Sequence, residues 1–224
     1  MRTIPKMLVS GLTELVVVGL MLFLPSGTLN YWQAWTFLAV FALSTWIPGI
    51  YVLRTNPVAL QQRMRAGPTA ESRLVQKVVI VGWYLSLAAT FVVSALDHRF
   101  GWSRVPTAIW LVGGVLVTVG LGAMMLVVIQ NSYAAATVRV ESGQKLVSTG
   151  LYGLMRHPMY AGNVIMMVGI PLALGSYWGL ILVIPGLIVL ALRILDEEKL
   201  LEEKLDGYRE YTERVRYRLV PYMW

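Results

Sequence analysis

Apolar residues in this chain come in long runs, with the polar residues gathered between and after them. The first run is residues 7–24 (MLVSGLTELVVVGLMLFL), preceded by Arg2 and Lys6. After the turn PSGTLN, a second run covers 31–53, with Tyr31, Trp32 and Trp35 placed like an interfacial aromatic belt. A polar loop over 54–73 carries Arg54, Arg63, Arg65 and Arg73, and further runs cover about 74–96 and 107–130, separated by DHRFGWSRVP. Each run has roughly the 20 residues a helix needs to cross a bilayer. The last, about 159–195, is too long for one crossing of a roughly 30 Å core and barely enough for two. Near its middle stand Gly175, Ser176, Tyr177 and Trp178, which suit a turn at an interface. The pattern predicts an all-α integral membrane protein of about six transmembrane helices, the last two a tight hairpin. One tilted helix and five crossings is the alternative.

Beyond the hairpin, residues 193–219 predict a helix leaving the membrane. Leu195, Leu200, Leu201, Leu205, Tyr208 and Val215 make an apolar stripe among many charges, as an interfacial or docked helix requires. The basic start of the first run also fits a signal peptide, but a small-residue cleavage pattern is missing and a second run follows at once, so a retained span is expected. Glu14 within it would be costly against lipid; it either faces the bundle or sits shallow and snorkels. The GG and GxG within 113–122 suit close helix packing, since no strand precedes them as a nucleotide-binding loop would need.

Composition agrees with the runs: 57% of residues are hydrophobic and 14% charged. There is no cysteine, which excludes disulfides, thiolate nucleophiles and zinc–thiolate sites, and only two histidines, His98 and His157, which argues against a His-rich metal centre. The net charge of +7 is read by placement, so neither nucleic acid nor a metal is an expected partner; membrane lipids are. With six spans, one side carries Arg2 and Lys6, five basic residues from Arg54 to Lys77, then Arg139, Lys145 and Arg156, and seven from Arg193 to Arg218. That is 17 of the 19 Lys and Arg; the other side keeps Arg99 and Arg104. The bias predicts both termini and the polar chemistry at the cytoplasmic face.

That chemistry sits in two strips, QKLVSTGLYGLMRHPMY over 144–160 and RILDEEKLLEEKLDGYREY over 193–211. In Arg156-His157-Pro158, proline at a first helical position makes His157 the N-cap, and the amides that follow suit an anion such as a carboxylate. The residues alone leave open that Arg156 anchors to phospholipid while His157 merely caps. Arg193 and Glu197, spaced i and i+4, share a helix face, while Glu198 points about a quarter turn away. An ordinary ion pair on a solvated face would look the same. What favours a site is that Tyr152, His157, Tyr160, Arg193 and Glu197 all fall at one interface, on elements joined by a short hairpin.

LVSTGLYGLMRHPMYAG resembles the LVTxGxYxxxRHPxYxG signature of the isoprenylcysteine carboxyl methyltransferase family, which is related to the membrane phospholipid methyltransferases. RILDEEKLLEEKLDGYREYTERVRYRLVP resembles that family's closing pattern, R-x-x-x-E-E followed by G, two spaced tyrosines and a terminal proline. The resemblance covers about residues 144–221, and the first four spans match only in hydropathy. It implies a methyltransferase using S-adenosyl-L-methionine, with 131–224 as the catalytic region and 1–130 as a four-span membrane region. Carried over residue by residue, it places Lys145, Leu146, Val147, Tyr152, His157, Pro158, Tyr160 and Glu197 around the cofactor. Glu197 holds its ammonium and Arg193 faces the acceptor's anionic group, these two being the catalytic pair. Leu205-Asp206-Gly207-Tyr208 departs from the family's FG before the tyrosines, and the shorter glutamate run leaves Glu197 and Glu198 as alternatives.

The implied acceptor is the carboxylate of a prenylated or otherwise lipidic molecule, which needs no general base because anion and sulfonium neutralise each other as they react. A phospholipid amine would first have to lose a proton, to Glu198, His157 or a tyrosinate. The other readings are an NADPH-dependent reductase of the sterol-reductase type, for which Lys145, Arg156 and Arg193 would receive phosphates, and a non-enzymatic scaffold or small transporter. The acidic run at 196–198 suits a cation better than a nicotinamide phosphate, and the polar residues gather at one face rather than along a pathway.

Overall fold

The computed structural model describes residues 3–57, 60, 71, 73–131, 133 and 143–224. Its helices are α1 (Thr3–Ser26), α2 (Trp32–Thr55), α3 (Leu74–Phe100), α4 (Thr107–Gln130), α5 (Pro158–Ala173), α6 (Val183–Lys204) and α7 (Tyr208–Arg214), with 3₁₀ turns at Gly150–Gly153 and Trp178–Leu182. No strand occurs among the described residues, and the protein is an all-α integral membrane protein. Five stretches are long and apolar enough to cross a membrane, the last being Trp178–Lys204. The sixth element, α5, is a shorter apolar helix of 16 residues, about 24 Å at 1.5 Å per residue.

The run 159–195 is a hairpin, not one tilted helix. Gly175 adopts φ +74°, a left-handed conformation natural to glycine, and Ser176 donates to the Asp97 carboxylate (2.5 Å) while accepting from the Gly179 amide (3.0 Å). The hairpin is tight only at this turn. Its helices diverge, and the closest packing in the bundle is between α4 and α5. A Cβ at Gly120 would lie 2.6 Å from the Gly162 carbonyl, and one at Gly162 would lie 2.8 Å from the Gly120 carbonyl. The glycines of 113–122 therefore serve packing, as small residues do between membrane helices.

Tyr31 is not part of an aromatic belt. It is fully buried, its hydroxyl donating to the Leu174 carbonyl (2.7 Å) and its ring stacked on His98 at 3.8 Å. Trp32 and Trp35 remain half exposed. Tyr31, Asp97 and Ser176 thus tie together the end of the bundle where Arg99 also lies, donating to the Pro25 carbonyl. Arg73, Arg156 and Arg193 lie away from that end; Arg2, Arg63, Arg65 and Arg139 lie outside the described residues. Glu14 is exposed and borders the larger cavity described below.

The C-terminal part departs from the single helix expected over 193–219. α6 ends at Lys204, Gly207 takes φ +77°, and the short α7 turns back. The stripe is buried on the protein's own surface: Leu205, Tyr208 and Tyr211 pack with Leu146, Leu201 and Val215, while Leu195 is left 40% exposed. The segment after α7 returns to the start of the hairpin, its Tyr217 and Arg218 carbonyls accepting from the Arg156 and His157 amides (both 2.9 Å).

Candidate functional site

Lys145, Leu146, Val147, Tyr152, His157, Pro158, Tyr160 and Glu197 all line one pocket of about 100 Å³, together with Asn131, Arg156, Tyr208 and Tyr211. The loop 144–148 supplies one wall, the start of α5 another, and α6 with α7 the rest. Arg193 does not line this pocket. It lines the adjoining cavity of about 840 Å³, whose walls run from α1 to α6 and carry Glu14, Trp46, Trp83 and Asn163. Tyr160 and Met159 border both spaces.

The Tyr160 hydroxyl links the two. It accepts from Arg193 Nε (3.0 Å) and donates to Glu197 Oε2 (2.5 Å). Glu197 Oε1 has no partner among the described residues and is available to a cation. The Arg193 guanidinium, only 6% exposed, also donates to Gln76 Oε1 (2.9 Å) and pairs with Glu71 Oε1 (2.9 Å). Gln76 in turn donates to Asp196 Oδ2 (2.6 Å), which Arg73 holds by an ion pair of 2.8 Å. Buried charges need such pairing and bonding. Glu71, Gln76, Arg73 and Asp196 were not expected as partners of Arg193; the polar loop that carries Arg73 and the acidic run at 196–198 were the signals that pointed towards them.

Glu198 has a different surrounding from Glu197. Its Oε1 accepts from Arg156 Nε (2.7 Å) and lies 3.2 Å from His157 Nε2, and its Oε2 accepts from Arg218 Nε (2.8 Å). It is 6% exposed and does not line the pocket. Arg156 also donates to the Val215 and Arg216 carbonyls (3.1 and 3.2 Å). Glu198 thus joins the start of α5, α6 and the returning C-terminal segment.

His157 is the N-cap of α5 with Pro158 at the first helical position, although its side chain makes no capping bond. The Tyr160 and Ala161 amides both turn back to the His157 carbonyl (3.0 and 3.1 Å), so they are not offered to an anion. On the far wall, Asn131 Nδ2 donates to the Tyr152 hydroxyl (3.1 Å), and Tyr211 donates to the Tyr152 carbonyl (2.7 Å). The Tyr208 hydroxyl is buried without a hydrogen-bond partner among the described residues. Burial first, then the charges of Glu198 and Glu197, hold the Tyr208 phenol well above the ordinary tyrosine range. No group of three or more His, Cys, Asp or Glu that could hold a metal ion occurs among the described residues.

Residues 108–206, from α4 through α6, match the family model for phospholipid methyltransferase. The match spans 99 of the chain's 224 residues, and that part of the chain is similar to the family. This family of membrane methyltransferases includes the isoprenylcysteine carboxyl methyltransferases, so the resemblance seen in the two polar strips and the family match agree. Over 95 residues the chain is also 33% identical to a Delta(14)-sterol reductase of Mus musculus. The shared stretch is 39% of this chain and 22% of the reductase, so the chain spans about a fifth of the length of that curated relative.

Proposed function

We propose that the protein is an S-adenosyl-L-methionine-dependent methyltransferase whose pocket at Glu197 takes the cofactor and whose larger cavity takes a lipidic acceptor. The observation that carries this reading is the Tyr160 hydroxyl, which touches Glu197 on the pocket side and Arg193 on the cavity side. The residues suit the group: Glu197 Oε1 for an ammonium, and Leu146, Val147, Leu200 and Leu201 for an apolar ring beside Tyr152. At about 100 Å³ the enclosed part matches the amino acid head better than the whole molecule, since pockets that enclose a drug-sized ligand run to roughly 300–1,000 Å³. The cofactor supplies a methyl group on a sulfonium. The chain's part is to hold both partners in line, which is worth several kcal/mol in well-oriented reactions.

The catalytic pair is Arg193 and Glu197, the catalytic region is 131–224, and the helices of 1–130 complete the acceptor's bed. Site and termini are assigned to the cytoplasmic face from the charge bias. A carboxylate on a prenylated or similar lipid is the acceptor implied by the resemblance to isoprenylcysteine carboxyl methyltransferases. A phospholipid amine gains support from the Arg193–Glu71 pair, because a guanidinium already facing a carboxylate attracts a second anion weakly. The similarity to the sterol reductase supports a second reading, an NADPH-dependent membrane reductase.

Calorimetric titration of detergent-purified protein with S-adenosylhomocysteine, alongside NADPH and the Glu197→Gln variant, tests the assignment. Binding that weakens at least tenfold in the variant, with no response to NADPH, is expected. Tight NADPH binding with no response to S-adenosylhomocysteine would replace this reading with the reductase. Methyl transfer to prenylcysteine or to phosphatidylethanolamine then assigns the acceptor.

A further inference from the structure

An amino acid head brings two charges on one carbon, and Glu197 answers only the ammonium. The carboxylate needs a donor close by. At the helix start that would ordinarily serve, the Tyr160 and Ala161 amides bond to the His157 carbonyl. Arg156 lines the pocket but is committed to Glu198 and to the Val215 and Arg216 carbonyls. His157 Nε2 faces Glu198. Other donors stand on the pocket wall, the exposed Lys145 and the Tyr133 hydroxyl among them, and Tyr208 lines it too.

Tyr208 is the most telling. Its residue is 3% exposed, yet its hydroxyl has no partner among the described residues, and a buried hydroxyl left unpaired is costly. Its ring is held by Leu205, Tyr211 and their apolar neighbours, so the hydroxyl cannot easily turn to water. Burial and the nearby Glu198 and Glu197 charges keep the phenol protonated, hence a donor. We propose that the Tyr208 hydroxyl donates the hydrogen bond that holds the carboxylate of the amino acid head, beside the ammonium held by Glu197. This rests on the assignment of the pocket to S-adenosylmethionine.

The test is calorimetry of wild type and Tyr208→Phe with S-adenosylhomocysteine and with its decarboxylated analogue, plus thermal unfolding without ligand. Tyr208→Phe should weaken S-adenosylhomocysteine by about tenfold or more, the worth of one hydrogen bond to a charged group. It should leave the decarboxylated analogue unaffected. Without ligand the variant should unfold at the same or a higher temperature, because it removes an unpaired hydroxyl; a merely structural tyrosine would lower it. Unchanged affinity for S-adenosylhomocysteine, or equal losses for both compounds, overturns the proposal while leaving the pocket assignment standing. Wild-type protein that ignores S-adenosylhomocysteine overturns both. Should Tyr208→Phe not fold, equal wild-type affinity for the two compounds would itself overturn the carboxylate contact.

Discussion

The Tyr160 hydroxyl accepts a hydrogen bond from Arg193 and gives one to Glu197, so two charged residues one turn apart on α6 are joined through a side chain of α5. One phenol cannot be lost without touching both spaces it borders. In Tyr160→Phe, Arg193 Nε loses its partner while almost buried, a loss of roughly 1–3 kcal/mol. The expected result is a lower unfolding temperature and a fall in kcat larger than any change in cofactor KM, because Glu197 keeps its own charge. Steady-state kinetics with both substrates varied decides this; a change confined to cofactor KM would place Tyr160 in cofactor binding alone.

The Arg193–Glu71 pair bears on acceptor choice. Both side chains are nearly fully buried, at 7% and 1% exposure, and removing one member of such a pair is typically a loss of roughly 3–5 kcal/mol. Glu71→Gln keeps the shape and lets an amide oxygen accept from Arg193, so the loss should sit at the low end or below. It also removes one of the negative charges that face Arg193. The variant should therefore gain activity on a carboxylate acceptor relative to an amine acceptor, measured by competition between the two in one vesicle preparation. An unchanged ratio would mean that the acceptor does not meet Arg193.

The spans and the hairpin were legible in the sequence because long apolar runs and a Gly-Ser break each have one economical structural solution. The pocket was legible for a related reason: its walls come from two strips close in sequence to the hairpin's ends. Tyr31 was misread because an aromatic residue opening a span looks the same in sequence whether it meets headgroups or turns inward to Leu174. The partners of Arg193 were not legible at all. Glu71 and Gln76 lie 122 and 117 residues away, and no local pattern specifies a contact at such separation. The stop at Lys204 was masked by an apolar stripe that continues across it, although Gly207 carried the signal for a turn.

The two adjacent glutamates should separate cleanly by variant. Glu198 receives Arg156, Arg218 and the His157 ring, and these contacts pin the returning C-terminal segment to the hairpin. Glu198→Ala leaves Arg156 and His157 buried without their acceptor, so a stability loss of several kcal/mol is expected, with faster trypsin cleavage after Arg216 and Arg218. Glu197→Ala should change unfolding little while weakening S-adenosylhomocysteine. Thermal unfolding and timed proteolysis of the two proteins side by side provide the comparison. The reverse pattern would exchange the roles of the two residues.

Alkaline pH should loosen the wall formed by α7. Tyr208 and Tyr211 are 3% and 1% exposed. Burial chiefly, then the neighbouring Glu198 and Glu197 for Tyr208 and Tyr152 for Tyr211, raise both phenols well above the ordinary value near 10. A raised folded-state value means the fold favours the protonated phenol. That stability is fully present below about pH 10, where the unfolded chain is protonated too, and is lost as pH rises beyond it. Each phenol contributes a slope of up to about 1.4 kcal/mol per pH unit in that window. The unfolding temperature should be governed by other groups between pH 7 and 9 and gain a downward slope above 10. In Tyr208→Phe that added slope should be shallower by one phenol's share, up to about 1.4 kcal/mol per pH unit; an identical slope would show that Tyr208 already ionises in the folded protein as freely as in water.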